Sequence, residues 1–227
     1  MPTLTFILAG GTTRQVAADV HTLIVAGWTG RDTAALEHHI EELAALGVPR
    51  PSSVPVFYRT SVDGLTQTRR LEVLGPDTSG EVEPVLFGSN DGMWIGLGSD
   101  HTDRKAETMG IALSKQLCGK VVAPTLWRLS EVEAHWDRLV VRAHATIGGK
   151  RVLYQEGALA AMRTPRDLLS RYDGGSALKP GAVMFCGTVG AIGGIRPASR
   201  FEMEIDDPVL GRSIRHDYEI VALPVVS

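Results

Sequence analysis

Short runs of alternating or β-branched apolar residues fill most of this chain, and Gly- or Asp/Asn-containing turns separate many of them. Period-two alternation bounded by turn residues is the signature of β-strands, so the chain is constrained to a mainly β architecture. Strands are predicted at 3–8, 22–26, 54–59, 70–74, 81–87 and 93–97, then at 122–129, 139–147, 151–155, 182–187, 200–205 and 213–223. Gly75-Pro76-Asp77, Asn90-Asp91-Gly92, Gly148-Gly149 and Asp173-Gly174-Gly175 supply turn signals between them. Helices interrupt the strands. The first spans 33–46, with Asp32 as N-cap, Gly47 and Pro49 as its stop, and Leu36, Ile40 and Leu43 as its apolar stripe. A second follows at 102–115. A third starts at Pro165, after Thr164, and ends near Arg171. Many strands with a few short helices predict an α+β, mainly β, class. With no repeat, linker or composition shift to divide it, the whole span 1–227 reads as one domain.

Composition narrows the function classes. The net charge of −3 speaks against a basic nucleic-acid binder. No apolar run approaches the roughly 20 residues that span a bilayer, and the first residues lack the basic region of a secretory signal. Cys118 and Cys186 form no CxxC pair, so a disulfide scaffold is excluded and a reducing cytoplasm is the expected compartment. The expected partner is a small molecule, with neither nucleic acid nor membrane.

The residues that could carry chemistry are few. Glu81 and Glu83 would share one face of a strand about 7 Å apart, and two hard oxygen ligands so placed suit Mg²⁺; the alternative is a solvated strand face. Asp100 sits just past a predicted strand, where it competes with Asp103 to cap the following helix. His39 and Glu42 lie on one flank of the first helix at acid–base spacing, while His38 and Glu41 face solvent. A plain polar flank would look the same. Lys115, near a helix C-terminus, suits the dipole there whatever else it does. Gly187-Thr188-Val189-Gly190 offers backbone N–H groups to an anion, or is a flexible loop. No P-loop, nucleophile elbow, HExxH or dinucleotide fingerprint is present.

These segments occur in a recognisable order. Leu23-Ile24-Val25-Ala26-Gly27-Trp28 through Pro55-Val56-Phe57-Tyr58-Arg59-Thr60-Ser61, Glu81-Val82-Glu83-Pro84-Val85-Leu86, Ser99-Asp100-His101-Thr102-Asp103-Arg104 and Ser114-Lys115-Gln116 run along the first half. Leu178-Lys179-Pro180-Gly181-Ala182-Val183-Met184-Phe185-Cys186-Gly187-Thr188 and Phe201-Glu202-Met203-Glu204-Ile205 follow. In this order the chain resembles the fumarylacetoacetate hydrolase superfamily over most of its length, as a divergent branch. Thr29-Gly30 stands where that family has Asn-Tyr, Arg59-Thr60 where it has Lys-Pro, and Val189 where it has Pro.

The resemblance implies a mixed β-sandwich roll with a few short helices, assembled as a homodimer. Residues 1–65 would be an N-terminal segment carrying a lid helix at 33–46, and 66–227 the β-roll core. It further implies Mg²⁺ or Mn²⁺ held by Glu81, Glu83 and Asp100, with Lys115 facing an enolate or carboxylate and Thr188 touching substrate. The family's His–Glu pair maps to His39 and Glu42 across a gap; without the gap, Thr33 takes the histidine's place. Arg59 could clamp a substrate carboxylate bidentately, or be an exposed strand cation. The implied activity is metal-dependent hydrolysis of a C–C bond in a small 1,3-dicarbonyl or acylpyruvate-type acid. Decarboxylation, hydration or isomerisation of a 2-oxo acid is the alternative, and a non-catalytic ligand-binding domain the second alternative.

Overall fold

Strand Val82–Ser89 and its antiparallel partner Gly92–Ser99 lie in the middle of a mixed ten-stranded sheet. The computed structural model describes residues 3–9, 13–45 and 50–226. Across this sheet the order is Arg14–Asp19, Thr3–Ala9, Thr125–Arg128, Gly92–Ser99, Val82–Ser89, Ala182–Phe185, Thr22–Gly27 and Val56–Thr60. The short strand Lys120–Val122 pairs with the end of Gly92–Ser99 and with Leu65–Thr66. A second, five-stranded sheet runs Lys150–Ala158, Val140–Ile147, Arg200–Asp207, Arg212–Leu223 and Arg70–Leu74.

Both faces of the large sheet are covered. Val82 and Leu86 pack into the core shared with the second sheet, whereas Val85 and Phe87 join a second cluster with Phe6, Leu23, Val25, Trp94 and Phe185. A strand buried on both sides has no polar face to alternate, so apart from Glu83 its sequence runs apolar from Val82 to Gly88. The second sheet has one wet face. Val141, Ala143 and Ala145 point inward opposite Met203 and Ile205, while Arg142 and Glu204 pair outside at 3.1 Å.

Several expectations are corrected. The predicted 122–129 strand is two strands, Lys120–Val122 and Thr125–Arg128, because Pro124 between them has no N–H for the ladder. The predicted 102–115 helix is also two pieces, Arg104–Glu107 and Ile111–Leu117. Thr102–Asp103 is drawn instead into pairing with Thr78–Ser79, and Asp103 accepts from Ala106 N at 2.9 Å as the N-cap. Asp100 therefore caps nothing. The edge strand Arg14–Asp19 was not foreseen, since none of its residues is buried and its apolar signal is weak.

The first helix forms at Thr33–Ala45, with Asp32 Oδ1 accepting from Ala34 N and Ala35 N at 3.0 Å. Ile40 is buried, and His38 and Glu41 are exposed as the wheel predicts. The side chains of His39 and Glu42 lie outside the described residues. Among those residues, no helix is long and apolar enough to cross a membrane.

Candidate metal centre

Hairpin register brings the three carboxylates together. Val82 pairs with Ser99 and Glu83 with Gly98, and one step further Asp100 N donates to Glu81 O at 3.0 Å. Glu81 itself lies just before the strand, which starts at Val82, so the expected shared strand face is formed by one strand residue and one end residue. One carboxylate oxygen from each of Glu81, Glu83 and Asp100 lies within 4.8 Å of the others. Asp100 is fully buried, Glu83 nearly so, and Glu81 keeps some access to solvent.

Three carboxylates packed this closely would repel one another strongly without compensation. Three cations supply it. Arg104 donates to Glu81 Oε1 at 2.8 Å, to Ser79 Oγ at 2.7 Å and to Glu107. Lys115 Nζ donates to Asp100 Oδ2 and lies 3.5 Å from Glu81 Oε2. Lys120 Nζ lies 2.8 Å from Asp100 Oδ1 and donates to the His101 carbonyl at 2.5 Å. The Lys120–Asp100 approach lacks hydrogen-bond alignment, so Asp100 Oδ1 is a buried acceptor with no hydrogen bond.

The titration of these groups follows from this crowding. Burial pushes the Glu83 carboxyl well above the carboxylate range. The charges of Asp100 and Glu81 add to this, and Lys115 and the Gly187 N–H offset only part of it. Asp100 goes the other way. Burial alone would raise it, but Lys115 and Lys120 together hold it well below its ordinary value. Lys115 stays charged despite burial, because Asp100, Glu81 and Glu83 surround it.

A neutral network stands behind the cluster. Tyr218 donates to Ser99 Oγ at 2.8 Å, and that oxygen also accepts from Glu81 N at 3.2 Å. Because the tyrosine proton is used there, His101 Nδ1 donates to Tyr218 Oη at 2.9 Å, leaving Nε2 to accept from Thr78 Oγ1 at 2.9 Å. This assigns the tautomer from the network. Burial, then Lys120 and Arg104, push the His101 imidazole down to about 3, so it remains neutral at neutral pH.

The Gly187–Thr188 turn closes the other side. Gly187 N donates to Glu83 Oε2 at 2.7 Å. Its φ of +96° favours glycine, and a Cβ there would collide with the buried Thr29 side chain. Thr188 Oγ1 donates to Val82 O at 2.7 Å and accepts from Gln155 Nε2 at 2.8 Å, so it ties the turn to the strand Val82–Ser89.

Arg59 is not brought to the cluster. It is exposed on Val56–Thr60 and, by strand alternation, faces away from Tyr58. Tyr58 is half-buried on the same strand: burial raises its hydroxyl, and a hydrogen bond with Trp28 offsets part of this. Arg104 is the arginine present at the cluster. The sequence analysis singles out neither Lys120 nor Gln155, and includes Arg104 and Tyr58 only as members of motifs. Lys120 carried one usable signal, a lysine within the apolar run Gly119-Lys120-Val121-Val122-Ala123.

A family model described as "Protein of unknown function (DUF2848)" matches residues 26–218. No curated protein matches the chain. Among solved structures, a yeast protein, ynq8, described as a fumarylacetoacetate hydrolase family protein, superposes with a TM-score of 0.63 at 14% identity, over 91% of this chain and 95% of its own. Cg1458 with an inhibitor gives 0.64 at 16% identity, over 93% and 81%. The 2-keto-3-deoxy-D-arabinonate dehydratase complexed with magnesium and 2,5-dioxopentanoate gives 0.65 at 14%, over 96% and 79%. The expected α+β, mainly β fold of the fumarylacetoacetate hydrolase type is the fold observed.

Proposed function

Because the chain belongs to the DUF2848 family and has the fumarylacetoacetate hydrolase fold, we propose that it is a divalent-metal-dependent enzyme that cleaves a C–C bond in a small 1,3-dicarbonyl or acylpyruvate-type acid. The observation that carries this reading is the buried triad Glu81, Glu83 and Asp100, with Lys115 beside it. A purely structural domain has no use for three carboxylates within 4.8 Å of one another, two of them buried. Three hard oxygen donors, two of them on buried carboxylates, fit Mg²⁺ or Mn²⁺.

When bound, such a cation supplies Lewis-acid stabilisation of the enolate left by C–C cleavage. The chain's own residues do the rest. Lys115 places a fixed positive charge where the enolate or carboxylate charge develops. Arg104 holds Glu81, and Gly187 N holds Glu83, so both carboxylates keep their aim. His39, oriented by Glu42, is the base assigned to water activation, delivered by the Thr33–Ala45 helix acting as a lid. Thr188 and the Gly187 turn line the substrate side. A homodimer in the cytoplasm completes the proposal, and the two cysteines, both buried and free, suit a reducing compartment.

The dehydratase among the structural neighbours, complexed with magnesium and a dioxo acid, favours a second reading, a decarboxylase, hydratase or isomerase of 2-oxo acids. One screen separates the two. The purified protein is incubated with acylpyruvates, oxaloacetate and 2-oxo-enoates, with Mg²⁺, with Mn²⁺ and with chelator, and the products are analysed. Metal-dependent release of pyruvate and a carboxylic acid from an acylpyruvate is expected. Turnover of oxaloacetate or a 2-oxo-enoate alone would replace the hydrolase by the second reading, and turnover unaffected by chelator would remove the metal from either.

A further inference from the structure

Asp100 carries two buried lysines, and the two are placed differently. Lys115 reaches in from the helix Ile111–Leu117, and its Nζ binds Asp100 Oδ2 and lies 3.5 Å from Glu81 Oε2. Its ammonium thus bridges two of the three carboxylates, Asp100 and Glu81. Lys120 comes from the strand Lys120–Val122, pairs with Asp100 Oδ1 and is anchored by the His101 carbonyl at 2.5 Å. No contact joins it to Glu81 or Glu83 among the described residues.

We infer that Lys115 and the divalent cation are alternative occupants of the carboxylate cage: the Lys115 ammonium fills it in the metal-free protein, and metal binding displaces that ammonium toward the substrate. This rests on the metal reading above and adds a role for this residue. Carboxylate oxygens within 4.8 Å of one another leave room for one cation at hydrogen-bonding or coordination distance, and a second positive charge there would be strongly repelled. A lysine can vacate the cage because its charge rides on a flexible four-carbon stem. Release then does two things together, opening the Asp100 and Glu81 oxygens for the metal and presenting an ammonium to the incoming acid. Lys120 does not share this freedom, since the backbone carbonyl of His101 holds it wherever Asp100 turns.

The test is calorimetric titration of Mn²⁺ into wild type, Lys115→Met and Lys120→Met. Removing the competitor should tighten Mn²⁺ binding about tenfold or more in Lys115→Met, and Lys120→Met should show no comparable gain. Equal gains in the two variants would mean a general charge effect and would overturn the inference, as would unchanged or weaker binding in Lys115→Met. Either of those results leaves the metal reading standing if wild type binds; absence of binding in all three proteins removes that reading and the inference with it. Should the methionine variants fail to fold, a crystal structure of wild type with Mn²⁺ decides. Lys115 Nζ beyond hydrogen-bond distance of Asp100 supports displacement, and an intact Lys115–Asp100 bond beside a bound ion contradicts it.

Discussion

Asp100→Ala is expected to destabilise the fold by about 3–5 kcal/mol, the range for removing one partner of a buried ion pair. Its carboxylate is fully buried and lies between Lys115 and Lys120, whose side chains are 8% and 1% exposed. Without it, Lys120 keeps only the His101 carbonyl, and Lys115 keeps Glu81 at 3.5 Å. Two ammonium groups would then face each other in a dry interior, against a total stability that is commonly only about 5–15 kcal/mol. Asp103→Ala is the control, since Asp103 is three residues away and caps a short helix; loss of a cap costs about 1 kcal/mol. Urea unfolding of both variants measures the contrast. Equal losses would mean that the lysines do not depend on Asp100.

The largest effect on turnover is expected from His39→Ala, about 10²–10⁴ in kcat, the contribution typical of a positioned general base. Metal binding should stay nearly intact, because no ligand is touched. His38→Ala, one position along the same helix and exposed, should do little, as its side chain points about 100° away. Both substitutions remove an imidazole and change helix propensity equally, so each controls for the other. Damage confined to His38→Ala would shift the register of the dyad by one residue. No effect from either variant on a substrate that is turned over would remove water activation by this helix and favour the second reading.

The elements legible in the sequence were those with one buried face or clear stops. Arg70–Leu74, Val140–Ile147 and Arg200–Asp207 show period-two burial, and Pro165–Asp173 shows its Thr164 cap, with Asp167 N donating to Thr164 Oγ1 at 3.3 Å. Arg14–Asp19 was hidden because an edge strand with no buried residue leaves no apolar alternation. Glu81 and Glu83 were legible through their two-residue spacing on a strand, and Asp100 through the order of motifs, since alone it reads as a helix cap. Their cations were less so. Lys115 and Arg104 came forward only through the order of motifs, and Lys120 depends on the antiparallel register Val121–Ser99, which sets it opposite Asp100. The exposed position of Arg59 is set in the same way. Which face a strand residue takes follows from register, and at an edge strand the sequence sets register weakly.

Calorimetric titration of Mn²⁺ into the metal-free wild type and into Glu83→Ala tests the metal centre most directly. Glu83 is the triad carboxylate held only by the Gly187 N–H, with no cation hydrogen-bonded to it among the described residues, so its loss removes an oxygen donor without stranding a lysine. One site per chain is predicted for wild type. A weakening of about a hundredfold or more is predicted for Glu83→Ala, beyond the 10–100-fold that loss of a mere supporting residue costs. Unchanged Mn²⁺ affinity in Glu83→Ala, or no saturable site in wild type, would contradict the account.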